Sequence, residues 1–137
     1  MKILVAVDPS DTVFLPVSRA VGIAKKEGAE LTLMSVAEAE EGTENFLDGN
    51  IVKRLEQHAA KTLEAAAAVA RAAGVMPKVR MESGLSPEEN IVDAAKAGGF
   101  DLIVTGTRGK KGISRLFLGS VASKIVALAS CSVLVVR

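Results

Sequence analysis

The sequence predicts an α/β fold: a single open, doubly wound parallel sheet of five strands with helices on both faces, Rossmann-like in type. Two observations carry this. Short β-branched runs alternate with longer segments of helical period, the signature of repeated βαβ units. The 137 residues, 49% of them apolar, suit one domain, 1–137, with one substantial core. Parallel crossovers are right-handed, which winds the helices onto both faces of an open sheet.

The first strand is expected over Ile3 to Val7. Phe14, Val17, Val21 and Ala24 then recur at helical spacing, and Gly28 is a natural stop. Leu31 to Val36 gives strand 2. The acidic, glycine-punctuated segment 37–50 has little period and is expected to be a surface loop. Helix 2 carries Leu55, Ala59, Leu63, Ala66, Ala70 and Ala73 on one stripe, with Lys53, Glu56 and Lys61 off it, and ends near Gly74. Its alanines allow close packing on a sheet. Strand 3, Val79 to Met81, alternates and should lie at an edge, whereas the continuously apolar strands 1, 2 and 4 should be central. Ser86 as N-cap, Pro87 at the first helical position and Glu89 as capping-box partner mark the start of helix 3, which Gly98 and Gly99 end. Leu102 to Thr105 gives strand 4. Helix 4 runs from about Ser120 through Val121, Ile125 and Leu128, and strand 5 covers Val133 to Val136.

Composition narrows the partners. Seventeen Lys and Arg against sixteen Asp and Glu give no general attraction to nucleic acid or to an anionic membrane. With no Trp or Tyr and four Phe, base-stacking platforms are poorly supported. The lone Cys131 excludes an internal disulfide and reads as a small core hydrophobe; together with the short apolar run at the N-terminus it points to the cytoplasm. His58 stands alone on the polar side of helix 2 and is read as a surface residue.

In such a sheet the ligand sits at the carboxyl ends of the strands, where strand order reverses. That sets Asp8-Pro9-Ser10, after strand 1, opposite GTRGKKGISRLFLGS, residues 106–120, after strand 4. Glycine admits close backbone approach and Arg or Lys supplies charge, so phosphate is the expected guest, with the N-terminus of helix 4 aimed at the same place. Standard phosphate motifs do not match: a Walker loop needs a glycine where Lys111 stands, and G-x-G-x-x-G is missing after strand 1.

What does fit is Gly106, two residues, Gly109, nine residues, Gly119 and Ser120. This spacing resembles the G-x2-G-x9-G-[S/T] nucleotide motif of the universal stress protein family. The likeness extends over KILVAVDPS, GAELTLMSV, FDLIVTGTRG, LGSVASKIV and SVLVVR. The resemblance implies sheet order 3-2-1-4-5, a homodimer, and bound ATP with Mg2+. It implies a pocket of Ala6, Val7, Asp8, Ser10, Val36, Thr105, Gly106, Arg108, Gly109, Gly119, Ser120 and Val121. In it Asp8 lies near ribose, phosphates or their metal, the backbone of Val36 reads adenine, and Gly119 to Val121 cradle phosphate. Arg108, Lys110, Lys111 and Arg115 could add charge, but the motif does not fix these positions. Pro9 and an extra residue between Gly84 and Pro87 depart from the common pattern.

Two classes of function follow. One is an ATP-binding regulatory or stress module with slow or no hydrolysis, since no catalytic set can be assembled around one distant histidine. The other is a small ATP-using enzyme, adenylating or phosphorylating, which calls for a substrate domain or an added catalytic loop. With strand 5 at an edge, Ser132 to Val136 is an apolar template expected to pair with a second copy.

Overall fold

The computed structural model describes residues 1–38, 49–107 and 118–137. Its strands are β1 Lys2–Ala6, β2 Glu30–Glu38, β3 Lys78–Gly84, β4 Leu102–Gly106 and β5 Ser132–Val136. Its helices are α1 Leu15–Glu27, α2 Gly49–Ala72, α3 Pro87–Ala97 and α4 Ser120–Leu128. The strands pair in parallel in the order β3-β2-β1-β4-β5, as the sequence leads one to expect.

Period-2 alternation divides β1 between two cores. Ile3, Val5 and Val7 join Leu31 and Leu33 of β2 against Val17 and Ala20 of α1 and Leu63 and Ala66 of α2. Leu4 and Ala6 join Met34 and Val36 against Ile91 of α3 and Ile125 of α4. So α1 and α2 cover one face, α3 and α4 the other. The β1 residues Ile3, Leu4 and Val5 are completely buried, which is why this run reads as unbroken hydrophobe. β3, exposed along most of its length, is an edge as expected.

Local details differ from the sequence expectations in four places. β2 continues through Glu38, because Ala37 and Glu38 pair with Ser83 and Gly84, and α2 begins at Gly49; the loop expected over 37–50 is that much shorter, and its residues 39–48 lie outside the described ones. The capping box at Ser86 does not form: no side chain caps α3, and the amides of Glu89 and Asn90 bond to the Ser86 carbonyl instead. The α2 stripe is buried at Ala59, Leu63, Ala66, Ala67 and Ala70 but only half-buried at Leu55 and at Ala73, which lies just past the end of the helix. Cys131 is half-buried against the α3/α4 core, and burial pushes its thiol above the usual range. Gly28 does end α1, in the left-handed region at φ 63°, with its amide on the Ala24 carbonyl.

The edge strand β3 is tied to β2 by an ion pair of Lys78 with Glu30. The Lys78 ammonium holds the Glu30 carboxyl below its usual range, so this contribution is present at neutral pH and fades as pH falls through the lowered value. Lys78 is 72% exposed, so the contribution is small.

Ser35 is 1% exposed, and its Oγ finds no partner among the described residues. An unsatisfied buried hydroxyl opposes folding, so Ser35→Ala is expected to raise stability by about 1 kcal/mol, read from denaturant midpoints.

Candidate functional site

The register of the sheet leaves a notch at its carboxyl edge. β1 pairs with β2 only as far as Ala6 opposite Met34, and with β4 only as far as Val5 opposite Val104. Both neighbours run on, β2 to Glu38 and β4 to Gly106. The Val7 amide closes the last β1–β2 bond on the Met34 carbonyl at 2.7 Å. Backbone groups two residues apart face the same way along a strand, so Val36 turns its N–H and C=O into the space beyond the end of β1. The side chains of Ala6, Val7, Val36 and Thr105 are all buried, so what these positions can offer a ligand is backbone.

The floor of the notch is the turn that leaves β1. Asp8 Oδ1 accepts from the Ser10 amide at 2.8 Å and from Ser10 Oγ at 2.6 Å, fixing the turn; Oδ2 makes no hydrogen bond among the described residues. Pro9, which has no donor, uses its carbonyl to accept from Thr62 Oγ1 of α2 at 2.6 Å. Asp11 Oδ1 accepts from the amides of Val13 and Phe14, both at 3.0 Å, and so satisfies donors ahead of α1. Phe14 sits in the left-handed region at φ 59°, a conformation unfavourable for an aromatic residue, and its ring is buried against Val17 and the β1 core.

The N-termini of α1, α3 and α4 at this edge are provided for differently. The approach to α1 is served by Asp11, and α3 has Glu88 and Glu89 in its first turn. α4 has Gly119 as N-cap, no side-chain cap and no acidic residue in its first turn. Its unbonded amides and the positive end of its dipole are therefore open to an anion. Thr107 fixes this end in place: its amide donates to the Val136 carbonyl at 3.2 Å, and its carbonyl accepts from the Gly119 amide at 2.6 Å. The two ends of the glycine-rich segment are thus clasped to each other and to the end of β5.

Of the residues expected at a site, Ala6, Val7, Asp8, Ser10, Val36, Thr105, Gly106, Gly119, Ser120 and Val121 lie at the carboxyl edge or the adjoining N-terminus of α4. Arg108 and Gly109, with Lys110, Lys111 and Arg115, lie outside the described residues. His58 is exposed on α2, one helical turn before Thr62. Sequence reasoning did not single out Asp11, Thr62, Thr107 or Glu88, whose roles depend on partners distant in sequence or on local turn geometry. No group of three or more His, Cys, Asp or Glu is placed to hold a metal among the described residues, so a cation here would depend on ligand oxygens plus Asp8.

Two surface depressions among the described residues lie elsewhere. One of about 260 Å³ is bounded by Lys53, Glu56, Gln57, Ala60 and Met81, and one of about 360 Å³ by Leu15, Ser18, Arg19, Gly22, Val136 and Arg137. Neither is at the end of β1. No helix of the described residues is long and apolar enough to cross a membrane.

Comparison with known proteins gives consistent findings. The family model for the universal stress protein family matches residues 1–137. Universal stress protein YxiE of Bacillus subtilis is 35% identical over 147 residues, covering 99% of this chain and 98% of its own. Among solved structures, universal stress protein UspA from Lactobacillus plantarum superposes with a TM-score of 0.85 at 29% identity, covering 100% of this chain and 97% of that one. The universal stress protein from Archaeoglobus fulgidus in complex with dAMP superposes with a TM-score of 0.73 at 26% identity, covering 100% and 98%.

The two amide bonds to Asp11 hold the entry to α1 and the left-handed Phe14. Asp11→Ala is expected to cost about 1 kcal/mol of stability in denaturant unfolding, the usual net contribution of an intramolecular hydrogen bond.

Proposed function

Since the chain belongs to the universal stress protein family, we propose that it is an ATP-binding regulatory module of that family, with Mg2+ carried by the nucleotide. The observation that carries this reading is the notch at the end of β1. On one side it has the Val36 backbone, on the other Gly106 and the N-terminus of α4, which has no side-chain cap and no acidic residue in its first turn. Adenine would pair with the N–H and C=O of Val36. Phosphates would take the amides of Ser120 and Val121 with the Ser120 hydroxyl, and Arg108 and Gly109 would complete the motif from the adjoining segment. Asp8, with Oδ1 committed to Ser10, would offer Oδ2 to the ribose or to a phosphate-bound cation. The dAMP complex of the Archaeoglobus fulgidus relative supports a nucleotide guest.

Holding a nucleotide this way needs no general base, so the module reading stands above an ATP-using enzyme. The single cysteine suits a cytoplasmic setting. Gly119→Val would place a branched side chain where backbone must meet phosphate. Calorimetry should show ATP binding by the parent and at least a tenfold loss in the folded variant, an estimate of about 1.4 kcal/mol or more. Phosphate release by the parent should stay far below the roughly 10 per second of a dedicated enzyme. A parent that binds no adenine nucleotide, or that turns over at that rate, overturns the reading.

The second copy would pair through β5. The Val136 carbonyl faces β4, where it accepts from Thr107, so Val133 and Val135 turn their backbone groups to the open edge. Val133 to Val136 are each only half-buried within one chain. An antiparallel partner about a two-fold axis would satisfy those groups and cover the valines. Val135→Pro removes an outward donor without touching the β4–β5 ladder, so the fold should persist while light scattering shows a monomer. A parent that is already monomeric at micromolar concentration, or a variant that still dimerises, counts against this interface.

A further inference from the structure

Glu88 has no role in the nucleotide site just described, yet it is a carboxylate only 7% exposed, in the first turn of α3. Its neighbour Glu89 is exposed and meets the α3 dipole equally well, so the helix end does not explain why a buried acid stands here. Its partner is Lys124 Nζ of α4, 3.3 Å from Oε1. That separation exceeds the 2.7 to 2.9 Å usual for charge-assisted bonds. The Lys124 side chain is 59% exposed and the Glu88 side chain 9%. The cation is loosely held and the anion is fixed.

Place gives the pair its meaning. Both helices lie on the face of the sheet that carries Ala6 and Val36, and both begin at its carboxyl edge. Lys124 is the sole charged residue of α4 and stands four positions after Ser120, on the same side of the helix. Helical side chains lean toward the N-terminus, so the Lys124 stem points back toward Ser120.

We infer that the Glu88–Lys124 pair sets how the crevice responds to the phosphate charge of its nucleotide. Lys124 is the cation that leaves Glu88 for a phosphate at the α4 N-terminus, and Glu88, buried and unable to follow, competes for Lys124 and repels further anionic charge. The inference rests on the nucleotide reading above and adds to it a determinant outside the glycine motif. The two residues therefore act with opposite sign: one favours phosphate charge, the other opposes it.

The test is calorimetric titration of the full chain with adenosine, AMP, ADP and ATP. Lys124→Met should weaken ATP about tenfold, the lower end of what a hydrogen bond to a charged group contributes, and leave adenosine unchanged. Lys124→Arg should restore most of the loss. Glu88→Gln, which keeps the shape, should tighten ATP severalfold relative to adenosine. A merely structural pair would give the same change for all four ligands, and that result overturns the inference. So does Glu88→Gln weakening ATP selectively. Should Glu88→Gln fail to fold, the exposed Lys124 variants decide alone through the ATP-to-adenosine ratio. If the parent binds none of the four, the nucleotide reading itself falls; if it binds ATP and Lys124→Met leaves that ratio untouched, only this inference does.

Discussion

The early end of β1 is the constraint from which the rest follows. β1 is paired on both edges and packed on both faces, so it nucleates both cores, yet its pairing stops two strand residues short of Val36 and one short of Thr105. The cause is chemical: Asp8-Pro9-Ser10 cannot continue a central strand, since proline lacks the amide and the Asp8 carboxylate folds the chain back onto Ser10. The neighbours have no such stop and run on. The resulting gap falls between β2, whose crossover helices lie on one face, and β4, whose helices lie on the other. Topology and strand length thus open the sheet at the same point.

The helices around that gap have different electrostatic starts. Where α1 and α3 begin, carboxylates are at hand, Asp11 by hydrogen bonds and Glu88 and Glu89 by position. α4 begins from glycine, so nothing in its own sequence quenches the amides of its first turn. An anion would find the start of α4 favourable, whereas α1 and α3 start beside carboxylates. Thr107 makes that end rigid by bonding to both Gly119 and Val136, which links the segment after β4 to the outer strand.

The two edges of the sheet are also unlike. β3 carries Lys78, Arg80 and Glu82, bonded into pairs with Glu30 and with each other, and such a charged edge resists pairing with another strand. β5 carries four consecutive apolar residues with no charge until Arg137. The same fold therefore has one charged edge and one apolar edge.

Much of this was legible in the sequence because it depends on local pattern. Continuous apolar runs gave the central strands, the Phe14 to Ala24 period gave α1, and Gly28 gave its left-handed stop, each from residues a few positions apart. The glycine spacing from Gly106 to Ser120 pointed to the carboxyl edge of the sheet. Ser86 shows the limit of such signals: the capping pattern is present, but the backbone satisfies the turn and the side-chain bond is not made. Only tertiary structure decided where β2 outlasts β1, that Thr62 would hold the Pro9 carbonyl, and that Glu88 would be buried beside Lys124, 36 residues on. These contacts join elements remote in the chain, and no local period records which side chains crossovers will bring together.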